Sequence, residues 1–251
     1  MIETERLILR PFEADDIDII FQIYSDSEIL HYTPFDPMSR EQAEEHLCRI
    51  IEEGKRVPCL SYELAVVLKE SGEKIGRTHI LIDPETDTGM IGWLLLKEHR
   101  GKHYAAEMTG ALLSYCFDEL GLHRANAVCN PENTASWKVL EKAGMRREAL
   151  LKQKCRYVKN GVTSWQDELE YAILASEYRS LKNASGRFRD GTLRRGISQC
   201  ILQEPYTEIP TGLPGHSWRS PRAAPTTDAS SAQCTRKCPS ECLPWSGSRK
   251  T

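Results

Sequence analysis

The 251-residue sequence predicts a mixed α/β fold over residues 1–182, a largely antiparallel sheet of about seven strands flanked by helices, followed by a disordered Pro/Ser/Arg-rich tail over 183–251. Three observations carry this. Short apolar runs of strand character alternate with segments of helical period. Between Met90 and Ala143 a strand, a basic turn, a helix, a second strand and a second helix follow one another as a βαβα unit. Composition then changes after Lys182, where turn formers and basic residues take over.

Taken in order, Arg6 to Pro11 reads as a strand and Ala14 to Ser25 as a helix. Ser39-Arg40-Glu41-Gln42 is a capping-box signature that starts a second helix toward Glu53. Two strands, Cys59 to Leu68 and Lys74 to Ile82, flank Ser71-Gly72 and make a hairpin. Met90-Ile91-Gly92-Trp93-Leu94-Leu95-Leu96 is apolar, aromatic and short, as suits a strand. Beyond it Met108, Leu112 and Tyr115 or Cys116 recur at helical spacing through Leu120, and Arg124 to Cys129 is the next strand. Asn133 is a good N-cap for a helix to Ala143, which Gly144 ends at C′. Two last strands, Arg146 to Tyr157 and Trp165 to Leu174, are joined through Asn160-Gly161.

The stretch Glu98-His99-Arg100-Gly101-Lys102-His103-Tyr104-Ala105-Ala106-Glu107 lies between a strand and a helix. A basic, Gly-containing turn there gathers unpaired backbone N–H groups and the positive end of the helix dipole at one point. Such a point binds anions.

This block, together with Asn130-Pro131-Glu132-Asn133-Thr134-Ala135-Ser136-Trp137-Lys138-Val139-Leu140-Glu141-Lys142-Ala143-Gly144-Met145, resembles the GNAT superfamily of N-acetyltransferases, and within it the branch of ribosomal-protein N-terminal acetyltransferases. The resemblance extends over residues 1 to about 182 through Glu3 to Phe12, Ser25-Asp26-Ser27-Glu28, Asp118 to Arg124 and Gln166 to Ile173. It implies the GNAT acyl-coenzyme A fold, acetyl coenzyme A as acetyl donor, a primary amine as acceptor and no metal. In that family the loop has the form Gln/Arg-x-x-Gly-x-Gly/Ala, and Arg100, Gly101, Lys102, His103, Tyr104 and Ala105 occupy its six positions. His103 stands where the family has its first motif glycine. Glycine there allows φ > 0 and close approach of a phosphate. His103 is either a tolerated replacement, histidine being among the residues that enter the left-handed region, or a hydrogen-bond donor to phosphate. By resemblance the two central strands splay apart, so that the backbone of Trp93, Leu94, Leu95 and Leu96 can pair with pantetheine amides.

The resemblance also places Asn133 beside the pantetheine arm or the substrate-facing end of the cofactor. Many GNAT enzymes have Ala three residues after this Asn and a Tyr seven after it that protonates the departing thiolate. Ser136 and Leu140 stand at those positions here. The ribosomal-protein branch makes the same exchange, and its serine hydroxyl is thought to serve the thiolate, so Ser136 is the catalytic candidate. A helix serine that only bonds backbone is the alternative. A thiol has a reference pKa near ~8.5, so a hydrogen bond suffices to assist its departure.

Neither place where the family keeps a general base offers a carboxylate: one is Met90, the other lies in Lys152-Gln153-Lys154-Cys155-Arg156-Tyr157. An α-amine, with a reference pKa of roughly 7.7–8.0, is partly neutral near neutrality and needs a base little; a lysine near ~10.4 needs one far more. The acceptor is therefore expected to be a protein N-terminal α-amine or a small-molecule amine such as a polyamine or aminoglycoside. Glu28, Glu107 and Glu148 are the remaining base candidates, and Tyr157 is the reserve acid. A catalytically weak coenzyme A-binding module, motivated by His103 and the missing carboxylates, is the second function class.

From Asn183 onward 29 of 69 residues are Pro, Gly, Ser or Thr, without sustained periodicity. Their unpatterned mixture with Arg, Cys and Trp resembles out-of-frame translation. The tail carries 10 Lys plus Arg against 5 Asp plus Glu, while residues 1–182 carry 23 against 31. An acidic domain argues against direct nucleic-acid binding and suits basic substrates. Cys234, Cys238 and Cys242 lack a fourth ligand for tetrahedral zinc, and the other cysteines are scattered as in a reducing cytoplasm. No apolar run approaches the ~18 residues of a membrane span, and no signal segment opens the chain.

Overall fold

The structure is a computed structural model that describes residues 1–185. Its sheet contains eight strands: β1 (Ile2–Glu3), β2 (Leu7–Pro11), β3 (Ser61–Leu68), β4 (Lys74–Asp83), β5 (Thr88–Leu95), β6 (Arg124–Cys129), β7 (Arg146–Lys159) and β8 (Val162–Leu174). The one beyond the expected seven is the two-residue β1, too short for periodicity to reveal. The order is β1-β2-β3-β4-β5-β6-β8-β7, antiparallel throughout except between β5 and β6. Five α-helices flank it: α1 (Ile17–Ser25), α2 (Arg40–Glu53), α3 (Tyr104–Ser114), α4 (Thr134–Lys142) and α5 (Ala175–Ser185). The helix read from Ala14 begins as a 3-10 turn at Ala14–Asp16, and α3 continues into a π-helical turn at Tyr115–Glu119. The expected tail lies, from residue 186 on, outside the described residues, as do Cys234, Cys238 and Cys242. Among the described residues no helix is long and apolar enough to cross a membrane.

Local signals explain the elements. The Ser39 hydroxyl accepts from the Gln42 amide at 3.3 Å while the Gln42 side chain accepts from the Ser39 amide at 2.8 Å, completing the capping box of α2. Asn160 and Gly161 have φ of 50° and 75°, the pair of left-handed residues that a two-residue hairpin turn requires. Gly144 has φ of 86°, a conformation that favours glycine, and a Cβ there would push aside the tip of Leu181, whose Cδ1 lies 2.4 Å away.

Alternation along the central strands divides the interior in two. Leu64, Val66, Ile80, Ile91 and Leu95 face α3 and α5, whereas Ala65, Val67 and Leu94 face α1 and α2. At the far end, the β7–β8 hairpin leans on the loop between α1 and α2. Lys159 Nζ donates to the carbonyls of Leu30 at 2.7 Å and His31 at 3.2 Å, and the Asn160 amide donates to Asp36 Oδ1 at 3.1 Å.

Asp16 joins the first elements to the sheet. Its fully buried carboxylate accepts from Arg10 Nη1 at 2.6 Å and Nη2 at 2.8 Å, and from the Glu13 amide at 2.8 Å, and it pairs with Lys74 Nζ at 2.6 Å. Burial alone would raise its pKa, but the bonds from Arg10, Lys74 and Glu13 overcome this and hold it at about 2. Because the folded value lies below the unfolded one, Asp16 contributes its full stability above pH ~4 and loses it as pH falls through about 2. Asp16→Asn should therefore lower stability at pH 7 by about 3 kcal/mol, since it removes the buried anion that the partly buried Arg10 and Lys74 hold. In urea unfolding, the gap between wild type and variant should close between pH 4 and 2; a gap independent of pH would refute the role.

Candidate functional site

The site begins where β5 and β6 part. β5 pairs with β4 along its whole length, from Thr88↔Asp83 to Leu95↔Gly76, but with β6 only through Thr88↔Arg124, Gly89↔Ala125 and Met90↔Asn126. Past Met90 a fork opens inside the sheet. The Leu96 amide donates to the Ile75 carbonyl at 2.9 Å, so alternation along an antiparallel ladder turns Gly92, Leu94 and Leu96 toward β4. Trp93 and Leu95 turn their backbone groups into the fork. Of the four residues expected to meet pantetheine, Leu94 and Leu96 thus have backbone engaged by β4 and side chains in the α1–α2 core, which leaves Trp93 and Leu95 with the open amides.

After β5 a 3-10 turn at Lys97–His99 leads through Arg100 to Gly101 at φ 76° and His103 at φ 66°, ψ 10°, immediately before α3. His103 is exposed, left-handed and makes no side-chain capping bond. Its conformation is the one a glycine would adopt without penalty. The amides of Gly101, Lys102 and His103 have no hydrogen-bond partner among the described residues. Tyr104 and Ala105 add first-turn amides of α3 to the same point.

Charge surrounds the loop. Lys97 pairs with Asp26 at 2.9 Å and Glu28 at 2.8 Å, and Arg100 lies 3.8 Å from Glu28. An open cleft of about 590 Å³ separates the Ser25–Ile29 segment from Leu96–Glu98. Behind the loop, Arg6 stacks over the Tyr104 ring at 4.5 Å and donates to the Lys102 carbonyl at 3.1 Å. Glu107 accepts from Thr4 at 2.5 Å and from the Arg6 amide and Nε at 2.7 Å each. Burial pushes its pKa up, but these bonds outweigh it and the net shift is downward. Glu107 is a brace between the N-terminal strands and α3, with its carboxylate fully engaged.

On the other arm, Asn133 Oδ1 accepts from the Ser136 amide at 3.2 Å and caps α4 as expected. Ser136 is half-buried, and its hydroxyl makes no side-chain hydrogen bond among the described residues. Glu28 pairs with Lys97, and Glu148 with Arg124 and Arg146. The Tyr157 hydroxyl donates to the Tyr32 carbonyl at 3.0 Å, and burial pushes its pKa up to about 12.

Sequence reading missed a polar cluster on the sheet face that carries α1 and α2. The buried Arg77 guanidinium donates to Tyr24 Oη at 2.5 Å, to Glu63 and to His79 Nδ1 at 2.8 Å. It also missed Glu168, which pairs with Lys154 at 2.6 Å and accepts from Cys155 Sγ at 3.0 Å. Only strand register brings these residues together, and no local pattern records it.

Residues 6–146 match the family model described as Acetyltransferase (GNAT) domain. The uncharacterized N-acetyltransferase YnaD of Bacillus subtilis (strain 168) is 34% identical over 177 residues, spanning 70% of this chain and 98% of that protein. A crystal structure of a GNAT-family acetyltransferase from Bacillus anthracis, 32% identical, superposes with a TM-score of 0.61 over 70% of this chain and 98% of its own. The spermidine N-acetyltransferase of Vibrio cholerae, solved with CoA and spermine, shares the fold at 24% identity and a TM-score of 0.60, over 69% and 98%. A forked, mostly antiparallel sheet with a phosphate-type loop at its centre is thus matched by family and by fold, and the chain belongs to the GNAT acetyltransferases as an acetyl-CoA-dependent N-acetyltransferase.

Proposed function

We propose that the enzyme passes an acetyl group directly from acetyl coenzyme A to the α-amine of a protein N-terminus, in a ternary complex formed at the β5/β6 fork. The observation that carries this reading is the set of amides at Gly101, Lys102 and His103 without partners among the described residues, together with the backbone of Trp93 and Leu95 past the last β5–β6 pair. The loop, from Arg100 to Ala105, takes the pyrophosphate and the open strand takes pantetheine. Asn133 and Ser136 stand at the head of α4, which follows the diverging arm β6.

An α-amine fits the acceptor side because neither position where the family keeps a carboxylate base carries one here. On that side Glu63 is paired with Arg77, and Glu168 shares Lys154 with Glu170. The scattered cysteines Cys48, Cys59, Cys116, Cys129 and Cys155 are free thiols, which supports a cytoplasmic site of action. Thiol release over a panel of N-terminal peptides, polyamines and aminoglycosides tests the assignment. Peptides with a free α-amine should turn over and their Nα-acetylated forms should be inert. Turnover confined to polyamines or aminoglycosides would overturn the acceptor class.

His103→Gly should keep or tighten acetyl-CoA binding. The left-handed conformation is present before ligand binds, so relief of its ~1 kcal/mol penalty should appear mainly as added stability, with Kd within about twofold of wild type. Calorimetric titration checks this, and markedly weaker binding would instead assign the imidazole to phosphate.

Ser136→Ala should lower kcat while leaving acetyl-CoA affinity nearly unchanged. Thiolate charge develops only as the tetrahedral intermediate collapses, so a hydroxyl aimed at sulfur stabilises the transition state over the ground state. The expected loss is about 10²-fold, less if the hydroxyl only donates a hydrogen bond. Asn133 still caps α4, so the melting temperature should hold; wild-type turnover would remove Ser136 from the mechanism.

A further inference from the structure

The polar cluster on the α1–α2 face contains one group that reaches the fork. Register sets Glu63 opposite His79 and His79 opposite Gly92, so the three form a row across β3, β4 and β5 on one face. Gly92 contributes no side chain, and the His79 ring occupies the vacated space. A Cβ on Gly92 would lie 2.5 Å from His79 Cε1 and 2.8 Å from Nε2. Gly92 is the second residue past Met90, where β5 loses its pairing to β6. The imidazole therefore lies over the β5 backbone at the mouth of the fork, half-buried, next to the open Trp93.

Its tautomer follows from its neighbour. A guanidinium can only donate, so the 2.8 Å contact from Arg77 Nη2 makes Nδ1 an acceptor and leaves the ring hydrogen on Nε2. Arg77 is itself fixed by Tyr24 and Glu63. Burial, with the Arg77 charge second, pushes the His79 pKa down to about 3, so the ring stays neutral at any working pH. A neutral imidazole with its free nitrogen protonated cannot take a proton from the amine. It can donate a hydrogen bond to developing negative charge.

We propose that His79 is a catalytic residue whose Nε2–H donates to the thioester carbonyl oxygen of bound acetyl coenzyme A and holds the oxyanion that forms there. The amine lone pair attacks the carbonyl carbon and the C=O π pair moves to oxygen, against Nε2–H. Collapse restores C=O and breaks C–S. The proton lost by the attacking nitrogen balances the one gained by the departing sulfur, and His79 keeps its own hydrogen throughout. The proposal rests on the reading that the acetyl group enters the β5/β6 fork.

The test uses the full chain with His79→Phe, which keeps a ring but no donor, and His79→Gln, which keeps an N–H donor. Acetyl-CoA dissociation constants should stay within about twofold, because the hydrogen bond strengthens mainly in the transition state. With an N-terminal peptide at saturation, kcat should fall about 10²-fold in the Phe variant, and the Gln variant should recover most of it. Infrared spectra of acetyl-CoA labelled with ¹³C at the thioester carbonyl supply a readout that a packing role would not move. The carbonyl band should shift to lower frequency on binding wild type and return toward its solution position in the Phe variant. Wild-type kcat in His79→Phe, or an unshifted band in the wild-type complex, overturns the proposal and leaves the acetyltransferase reading intact. A wild-type chain that binds no acetyl-CoA overturns both.

Discussion

One weak junction organises the molecule: the parallel pairing of β5 and β6, which lasts for three residues. Each of these strands has a longer antiparallel commitment, β5 to β4 through eight pairs and β6 to β8 through six. Parallel pairs are slightly less stable per residue, so each strand follows its antiparallel neighbour's twist and the parallel seam gives way. The result is a gap in the middle of a sheet, lined by backbone groups whose partners have moved off. Unpaired amides beside a core are unfavourable unless something polar meets them. A ligand carrying its own amides and phosphates answers that need along the whole gap.

The loop beyond β5 is held in shape before any ligand arrives. Gly101 and His103 are both left-handed, which turns successive amides outward, and the Arg6–Glu107 pair locks the first turn of α3 against the N-terminal strands. Lys97 and Arg100 do not face the cleft as bare cations; Asp26 and Glu28 neutralise them. An entering pyrophosphate must compete with those carboxylates. In the proposed complex the backbone amides, the α3 dipole and Lys102, which have no such competitor among the described residues, carry more of its recognition than Lys97 and Arg100 do.

How much of this was legible in the sequence depends on the range of the interaction. The caps at Ser39 and Asn133, the Asn160-Gly161 turn and the strand–loop–helix around Gly101 are local, set by residues within a few positions of one another, and the structure repeats them. The left-handed state at residue 103 was readable for the same reason: a motif position demands it whichever residue stands there. Long-range pairings left no such trace. Glu107, read as a candidate base, is a brace because Thr4 and Arg6 reach it from about a hundred positions away. Glu28 and Glu148 are likewise tied by cations that sequence proximity does not announce. The Glu63–His79–Gly92 row exists only through the register of three strands, and β7 carries two register shifts that no alternation of its residues foretells.

The missing carboxylate base and the neutral imidazole belong to one chemical logic. If the acceptor is an α-amine with a pKa near ~8, solvent removes its proton at little cost, and the barrier left to the protein is the charge that moves first onto oxygen and then onto sulfur. A buried carboxylate beside the thioester would oppose the first of those charges. On the α1–α2 face lies instead Arg77, whose charge Glu63 offsets and whose contact fixes the His79 tautomer with a donor outward. In the proposed mechanism Ser136, on the opposite arm and at the positive end of α4, meets the second. Donors on two arms that diverge from one seam can address two atoms of the same thioester, which a closed sheet could not do.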